Sequence, residues 1–403
     1  MRILFITDNF PPEVNAPATR TYEHCKEWVK LGADITIITC FPNFPQGVVY
    51  DGYRNKLYSK EITEGIKVIR VWSYITANEG FLKRTLDYFS FAVMATIAGL
   101  FVKTDTIIAT SPQFFAAAAG RWLSFLKRKP WIMEVRDLWP ESIKNMNAMK
   151  TEIGYRFLEW WEKRLYRTSK KIVVVTDAFK KYIINKGISS CKIDIITNGA
   201  NLDLYEPHPK DSNLLAYLGL KGKFIVSYIG THGMAHKIDF ILQCAANCKN
   251  SDIHFLFVGT GAEKTKLLKI KENLALRNVT MLDPVSKNDV PAYLSITDVS
   301  LINLKKSELY KTVIPSKIFE TAAMQIPILL GVDGESREII EHYNAGLFFE
   351  PENEKDFFEK LEILITQRDL YDNCKEGCKY LAINYNRKSL AVKMFEIIKN
   401  SVN

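Results

Sequence analysis

Residues 224–238 read Phe-Ile-Val-Ser-Tyr-Ile-Gly-Thr-His-Gly-Met-Ala-His-Lys-Ile, an apolar run followed by a glycine-containing turn. The apolar run predicts a strand, and the residues after the turn predict a helix. Gly230 and Gly233 let the backbone pass close to a ligand, and the amino end of a helix offers free N–H groups to an anion. Lys237 adds a positive charge and His232 a hydrogen-bond donor. The turn therefore indicates a phosphate site; the alternative is a tight turn with a solvated lysine.

On both sides of this turn, short apolar runs alternate with longer segments whose apolar residues recur with the period of an α-helix. The runs are rich in Ile and Val and nearly continuous in hydrophobicity, as strands covered on both faces are. The predicted strands are Ile3–Thr7, Ile35–Thr39, Val68–Trp72, Thr106–Ala109, Trp131–Val135, Ile172–Thr176, Ile193–Ile196, Phe224–Ile229, His254–Val258, Val279–Leu282, Val299–Ile302 and Ile328–Leu330. Predicted helices include Arg20–Leu31 and Thr151–Thr168. This alternation predicts an α/β fold with doubly wound parallel sheets.

A length of 403 residues favours two domains over one hydrophobic core. The polar, proline-containing stretch that begins at Tyr205 reads as a linker. We expect an N-terminal Rossmann-like domain at 1–204 and a second at 205–384, with a C-terminal helix at about 385–403 that packs back on the first domain. Two such domains would face each other across a cleft between their strand carboxyl ends, where these folds bind ligands.

Composition excludes several classes of protein. The net charge of +9 suits nucleic acid, anionic lipid or phosphorylated substrates, but no helix-turn-helix, zinc-finger or RNP-type motif favours nucleic acid. Seven scattered cysteines argue against a disulfide framework and for a reducing cytosol. A zinc site built from the paired cysteines is the less favoured alternative to buried thiols.

Two segments resemble targeting or membrane signals in part. The N-terminal residues 1–8 predict a strand and lack the cleavage site of a signal peptide. Phe89–Val102 is apolar but shorter than the ~20 residues that span a bilayer. We interpret it as a buried helix packed on a sheet.

A second cluster lies at residues 314–324, where Pro315 can begin a helix. Ser316 and Lys317 fall in its first turn and suit phosphate oxygens. Glu320 lies one turn further along the same face, and its carboxylate can accept both hydroxyl protons of a ribose. The alternative is an ordinary surface ion pair between Lys317 and Glu320.

In the first half, Arg136 and Asp137 follow a predicted strand, close to a Trp and a Pro. Such residues suit a cleft better than a core, although an ion pair that holds a loop is an equal alternative. The first strand–helix turn lacks G-x-G-x-x-G, which argues against Rossmann-type NAD binding. Glu13, Asn15 and Arg20 are expected to face the cleft.

Basic and aromatic residues are interleaved at 81–84 and 155–167. A helix with this pattern can rest on an anionic membrane surface. A tryptophan stripe that belongs to the core is the alternative.

The chain resembles the retaining family-4 glycosyltransferases of GT-B fold nearly from end to end. The segments that carry the resemblance are Pro-Pro-Glu at 11–13, Arg-Asp-Leu-Trp-Pro at 136–140, Thr-Asn-Gly at 197–199, the turn at 230–237, Val-Gly-Thr-Gly at 258–261 and Pro-Ser-Lys-Ile-Phe-Glu at 315–320. They are most similar to the subgroup that builds bacterial O-antigen and capsule, and within it to N-acetyl-L-fucosaminyl transferases of the WbuB kind.

This resemblance implies a UDP-sugar donor, with no cofactor and no metal ion. It implies that Lys237 and Lys317 neutralise the donor diphosphate and the leaving group, assisted by Ser316, while Glu320 holds the ribose. It also implies a polyprenyl-diphosphate-linked saccharide as acceptor. The protein is then expected in the cytoplasm, peripheral to the anionic inner face of the plasma membrane.

The chain departs from the family at two places. The family's paired glutamates lie eight residues apart, yet Thr312 precedes Glu320 by that spacing, and Glu308, the nearest upstream acid, is out of register. The family usually has a histidine where Arg136 stands. The predicted catalytic residues are Lys237, Lys317, Arg136, Asp137 and Glu13. The predicted donor-binding residues are Gly230, His232, Gly233, Lys237, Ser316, Lys317, Glu320 and Thr312.

Two other functions share this architecture. A nucleotide-sugar epimerase would use its carboxylates and histidines for proton chemistry. A non-catalytic two-domain binding protein would close around a ligand without reaction.

Overall fold

The computed structural model describes residues 1–44, 46–76, 81–111, 114–141 and 152–402, with the backbone alone at Phe81 and Leu82. The chain divides into two compact units, Met1–Thr197 with Arg387–Asn403, and Asn198–Asn386. The first unit thus ends earlier than the sequence-based boundary at residue 204. The reason lies in local contacts, since the Ala200 N–H donates to the Tyr385 carbonyl and Tyr205 is buried in the second unit's core.

The first unit is a sheet with helices on both faces. Its strands are β1 (Arg2–Ile6), β2 (Asp34–Cys40), β3 (Tyr58–Thr63), β4 (Ile66–Val71), β5 (Thr106–Thr110), β6 (Trp131–Val135), β7 (Lys171–Val174) and β8 (Ile193–Ile195). Its helices are α1 (Ala16–Lys30), α2 (Phe81–Leu100), α3 (Phe114–Lys127), α4 (Glu152–Thr168), α5 (Asp177–Asn185) and α14 (Arg387–Val402). The strand order is β3-β4-β2-β1-β5-β6-β7-β8, parallel except for β3.

The second unit repeats this design with a smaller sheet. Its strands are β9 (Phe224–Ile229), β10 (Ile253–Val258), β11 (Val279–Leu282), β12 (Val299–Asn303), β13 (Ile328–Gly331) and β14 (Gly346–Phe348). Its helices are α6 (Ser212–Tyr217), α7 (Ile238–Asn247), α8 (Lys264–Asn273), α9 (Val290–Ser295), α10 (Lys317–Ala323), α11 (Glu335–Tyr343), α12 (Glu354–Thr366) and α13 (Arg368–Asn384). The order β11-β10-β9-β12-β13-β14 is parallel throughout, so the predicted doubly wound α/β class is confirmed.

The first and last helices of the first unit pack on each other. Asn15 caps α1 by accepting from the Ala18 N–H, which starts this helix before the predicted Arg20. On α14, the Ala391 carbonyl accepts from Trp28 Nε1 at 2.8 Å, and Phe395 stacks on the Trp28 ring. These contacts bury a large aromatic side chain between two helices that are distant in sequence.

The apolar segment Phe89–Val102 forms most of α2 and is buried on one face only. Phe91 and Ala95 are buried, whereas Phe89 and Ile97 are 46% and 48% exposed. The prediction of a buried helix therefore holds for the face toward α3. Of the helices in the described ranges, none combines the length and apolar character needed to cross a bilayer.

A buried ion pair ties α1 to the centre of the first sheet. Arg20 and Glu134 are 3% and 1% exposed, and their Nε and Oε1 atoms are 2.9 Å apart. Arg20 also donates to the carbonyls of Ile196 and Thr197. The prediction that Arg20 faces a cleft is wrong, because its guanidinium holds β6 and the end of the first unit together.

We expect Arg20→Met to lower the free energy of unfolding by about 3–5 kcal/mol, because it leaves the Glu134 carboxylate buried without its partner. Thermal and urea unfolding measure the loss. The double variant Arg20→Met/Glu134→Leu should recover part of it, because both charges are then removed. Equal stability of the single variant and the wild type would contradict the importance of the pair.

Candidate functional site

The second sheet has its switch point between β9 and β12. From β9 the chain winds outward through β10 and β11, then returns to β12 on the other side of β9. Ligands of open α/β sheets bind outside the strand carboxyl ends at such a point. Gly230 directly follows β9, and Asn303 ends β12.

The turn after β9 is held by close backbone contacts. Gly230 has φ +142°, and a Cβ there would lie 2.9 Å from Lys317 Nζ. Gly259 has φ +145°, and a Cβ on it would lie 1.9 Å from the Gly230 carbonyl oxygen. Both positions therefore require glycine. Gly233 has φ −112°, and a Cβ there would make ordinary contacts, so the packing of the turn does not itself demand glycine at that position.

Lys317, the first residue of α10, points into this turn. Its Nζ lies 3.7 Å from the centroid of the Tyr228 ring, is buried and has no hydrogen-bond acceptor among the described residues. Burial lowers the pKa of Lys317 to about 7, and the charge of Glu320 opposes the shift. Because Nζ is buried, the alternative of an ordinary surface pair with Glu320 is wrong. Lys317 is thus a buried amine to which no anion is hydrogen-bonded among the described residues.

Two histidines pack against Tyr228 beside this ammonium. His232 is fully buried, and neither ring nitrogen has a partner in the described structure. Burial, then the charges of Lys264 and Lys317, lower its pKa to about 4. Burial and Lys317 lower the pKa of His236 to about 3. Both imidazoles are therefore neutral at pH 7, and in this conformation the His232 ring lies beneath the surface of the turn.

Asn303 joins β12 to the same turn. It is buried, and its Nδ2 donates to the His236 carbonyl at 3.0 Å, while its Oδ1 has no partner among the described residues. Sequence reasoning missed Asn303, Tyr228 and His236 as site residues. Asn303 reaches this turn because β9 and β12 are neighbours in the sheet, which the linear order of the strands hides.

Lys237 lies at the other end of the turn and precedes α7. Its φ of +47° is left-handed, an uncommon conformation for a residue with a side chain. Its Nζ is 3.1 Å from Asp239 Oδ2, and its side chain is 29% exposed. The predicted start of the helix at Ile238 is confirmed. Lys237 thus keeps its ammonium accessible at the amino end of α7.

The segment before α10 forms a 3-10 helix, Glu308–Thr312. Thr312 Oγ1 donates to the Leu309 carbonyl, and Ser316 precedes α10 without a side-chain cap bond. The Glu308 side chain is 87% exposed and pairs with Lys311. Thr312 and Glu308 are the two residues that could replace the first of the family's paired glutamates. Neither of them forms a hydrogen bond with Lys317.

A cavity of about 560 Å³ opens at the carboxyl ends of β12–β14. Its walls include Lys305, Glu308, Tyr310, Asp333, Arg337 and Phe348, but neither Gly230 nor Lys317. The volume suits a small-molecule ligand. The 3-10 helix forms part of its wall.

Glu13 and Arg136 are both anchored within the first unit. Glu13 Oε1 accepts from the N–H groups of Asn43 and Phe44, and burial raises its pKa. The Arg136 guanidinium donates to the Pro17 carbonyl, and burial lowers its pKa to about 10. Asp137 lies next to Arg136 and is half-buried. Their catalytic roles stay predictions.

Two further carboxylates line a small cavity of about 60 Å³ next to Glu13. Burial and the charge of Asp8 raise the pKa of Asp87 to about 7, and burial also raises the pKa of Asp8. Asp87 lies on α2 and was not predicted from the sequence, since a lone acid in an apolar helix carries no pattern. In the part of the chain that the structure describes, no group of three or more His, Cys, Asp or Glu residues is placed to hold a metal ion.

Family models match both halves of the chain. The model described as Glycosyltransferase Family 4 matches residues 17–204, and the model described as Glycosyl transferases group 1 matches residues 216–379. The putative colanic acid biosynthesis glycosyl transferase WcaI of Escherichia coli is 24% identical over 80% of this chain and 81% of its own length. The putative teichuronic acid biosynthesis glycosyltransferase TuaH of Bacillus subtilis is 25% identical over 49% of each chain.

Solved structures share the fold at low identity. The Anabaena protein Alr3699/HepE, solved with UDP and glucose, superposes with a TM-score of 0.74 at 16% identity and covers 99% of this chain and 100% of its own. WaaG, a glycosyltransferase involved in lipopolysaccharide biosynthesis, gives a TM-score of 0.73 at 14% identity, covering 98% of this chain and 99% of its own. The chain therefore has the two-domain GT-B fold of the group 1 and family 4 glycosyltransferases.

Proposed function

We propose that the chain is a retaining, metal-independent glycosyltransferase. Its donor is a UDP-sugar, with N-acetyl-L-fucosamine as the first sugar to test, and its acceptor is a polyprenyl-diphosphate-linked saccharide of bacterial O-antigen or capsule synthesis. The observation that carries the proposal is the buried, unpartnered ammonium of Lys317 at the switch point of the second sheet.

An anion beside Lys317 would offset the cost of burying its ammonium group. A buried ammonium without an acceptor loses its hydration and is offset only in part by the face of the Tyr228 ring. A diphosphate oxygen beside Lys317 would supply the missing acceptor. Fixed positive charge near the leaving phosphate stabilises the charge that develops as the sugar departs.

The remaining contacts are assigned by their positions around Lys317. Lys237 and the amino end of α7 offer a second cation and free N–H groups to the diphosphate. Glu320 is one turn from Lys317 on α10 and is assigned to the ribose hydroxyls. In the first unit, Arg136 and Asp137 are assigned to the reacting sugar and the acceptor.

The relatives support this assignment. WcaI and TuaH carry names from colanic acid and teichuronic acid biosynthesis, which are bacterial surface polysaccharides. Alr3699/HepE was solved with UDP-glucose as well as with UDP and glucose. The UDP-glucose complex supports a UDP-sugar donor, and the two biosynthesis names support a saccharide acceptor.

A thermal-shift series with UDP, GDP, dTDP and NAD, each with and without EDTA, tests the donor. A ligand at a hundredfold over its dissociation constant stabilises by ~2.7 kcal/mol, enough to raise the midpoint by a few degrees. We expect a shift with UDP that EDTA leaves unchanged. A shift with NAD alone, or none with any nucleotide, would contradict the proposal.

We expect Lys317→Met to abolish UDP binding while the protein stays folded, because methionine fills the same space without charge. In the wild type, the lowered pKa means that the unfolded state holds more protons than the folded state above pH 7. Stability should therefore rise with pH from about 7 toward the ordinary lysine value, and this rise should disappear in Lys317→Met.

UDP titrations followed by calorimetry, and melting curves from pH 6 to 9, measure both effects. Lys269→Met is the matched control, because Lys269 is exposed on α8 of the same unit. UDP affinity should also fall as pH rises above about 7, since the diphosphate needs the ammonium form. Undiminished UDP binding by Lys317→Met would contradict the site assignment.

The outer side of α4 supports contact with an anionic membrane. Phe157 and Trp160 are 54% and 57% exposed and stack on each other, and Arg164 lies over the Trp160 ring. Trp161 instead packs on Phe114 in the core, so the core alternative holds for this tryptophan. Exposed aromatic rings beside cations are the features of an interfacial helix.

We expect the double variant Phe157→Ser/Trp160→Ser to lose binding to phosphatidylglycerol vesicles in sedimentation assays. Wild-type binding should weaken with salt, because each nearby Lys or Arg contributes about 1 kcal/mol at an anionic surface. Tyr217→Ser is the control, since Tyr217 is 85% exposed in the second unit. Equal binding to phosphatidylcholine vesicles, or unchanged binding by the double variant, would overturn the membrane assignment.

A further inference from the structure

An apolar groove of about 380 Å³ runs between α2 and the edge of the first sheet. Its walls come from β3, β4 and the carboxyl end of α2, and all but one are apolar or aromatic. The lining residues are Leu57, Tyr58, Lys60, Ile69, Val71, Met94, Ile97, Ala98, Phe101 and Val102. A groove of this volume lies within the range of small-molecule sites.

Strand register explains the floor of the groove. In the antiparallel pair β3–β4, Tyr58 lies opposite Val71 and Lys60 opposite Ile69. Directly opposed residues project from the same face of a sheet, so these side chains form one surface. The helix α2 covers β4 but leaves the face of the edge strand β3 open.

Helical spacing explains the wall. Met94, Ile97 and Phe101 are separated by three and four residues and therefore share one face of α2 and its carboxyl end. Ile97 is 48% exposed and Phe101 84% exposed, and Leu57 on the opposite rim is 71% exposed. Contiguous exposed apolar side chains of this kind mark a binding surface.

Two lysines border this apolar surface. Lys60 lies beside the Tyr58 ring with its Nζ 5.4 Å from the centroid. At the carboxyl end of α2, Lys127 Nζ donates to the Leu100 carbonyl at 2.8 Å. Burial and then the charge of Lys129 lower the pKa of Lys127. A hydrocarbon chain that carries a phosphate at one end matches this distribution of apolar and positive surface.

We propose that the groove binds the isoprenoid chain of the lipid-linked acceptor. This inference rests on the proposed function, because the acceptor lipid is what supplies a polyprenyl chain. Each buried methylene strengthens binding by about fourfold, so a few isoprene units are enough for measurable affinity. A second protein copy fits less well, since a specific interface buries about 1,200–2,000 Å² and needs more than one narrow groove.

Farnesyl phosphate, used below its micelle concentration and without vesicles, is the probe. Calorimetry should show saturable binding to the wild type. Ala98→Trp, which fills the groove, should weaken binding at least about tenfold, and Ile97→Ser, which removes part of its wall, should weaken it by about fivefold to tenfold. Ile383→Ser is the matched control, because Ile383 is 55% exposed in the second unit and should bind the probe like the wild type.

Four results would overturn the inference. They are unweakened binding by Ala98→Trp, equal affinity for dodecyl phosphate, full displacement by inorganic phosphate, and a wild-type dimer that Ala98→Trp dissociates. Equal affinity for dodecyl phosphate would show that the groove takes any linear alkyl chain. Full displacement by inorganic phosphate would show that only the phosphate is bound. A dimer that Ala98→Trp dissociates would show that a second copy of the chain occupies the groove. The UDP-induced thermal shift is measured on every variant, which shows that each is folded. If UDP produces no thermal shift in the wild type but farnesyl phosphate still binds, the donor assignment is wrong and the groove assignment is supported.

Discussion

The ammonium of Lys317 sets the constraint around which the second unit is arranged. It is buried against the Tyr228 ring beside Gly230, with no hydrogen-bond acceptor in the described ranges. Gly230 has φ +142°, a conformation that residues with side chains rarely adopt, and the Gly230 carbonyl oxygen excludes a side chain at Gly259. Such a packed cation is unfavourable by itself, and an anionic ligand removes the penalty. The fold therefore holds the Lys317 amine in a fixed position, where a nearby anion would favour its charged form.

The first unit also contains a largely parallel sheet, but its charged residues are arranged differently. Here the charges are largely satisfied from within, since Arg20 neutralises Glu134 and two backbone amides hold Glu13. Asp8 and Asp87 lie beside a small cavity in this unit, where burial raises the pKa of both carboxyl groups, that of Asp87 to about 7. A unit that binds hydroxyl-bearing groups suits carboxylates, whereas a unit that binds diphosphate suits unpaired cations. This difference in charge supports the two proposed assignments.

Periodicity predicted most of the fold because strands covered on both faces are continuous apolar runs. It missed β3, whose residues alternate between exposed and half-buried at the sheet edge, and β14, which has three residues. The charged residues were harder to place: Arg20 has the sequence features of a surface residue, yet tertiary packing buries it. Lys317 and Gly230 were each identified from local motifs. That they touch depends on the neighbouring positions of β9 and β12, which a single sequence does not contain.

A crystal structure of the wild-type protein with UDP tests the central claim most directly. We expect a diphosphate oxygen within hydrogen-bond distance of Lys317 Nζ, at about 2.7–2.9 Å for a charge-assisted contact. The phosphates should lie over the turn that starts at Gly230, with the ribose hydroxyls on Glu320. A UDP molecule bound elsewhere, with Lys317 Nζ still lacking an acceptor, would contradict the account.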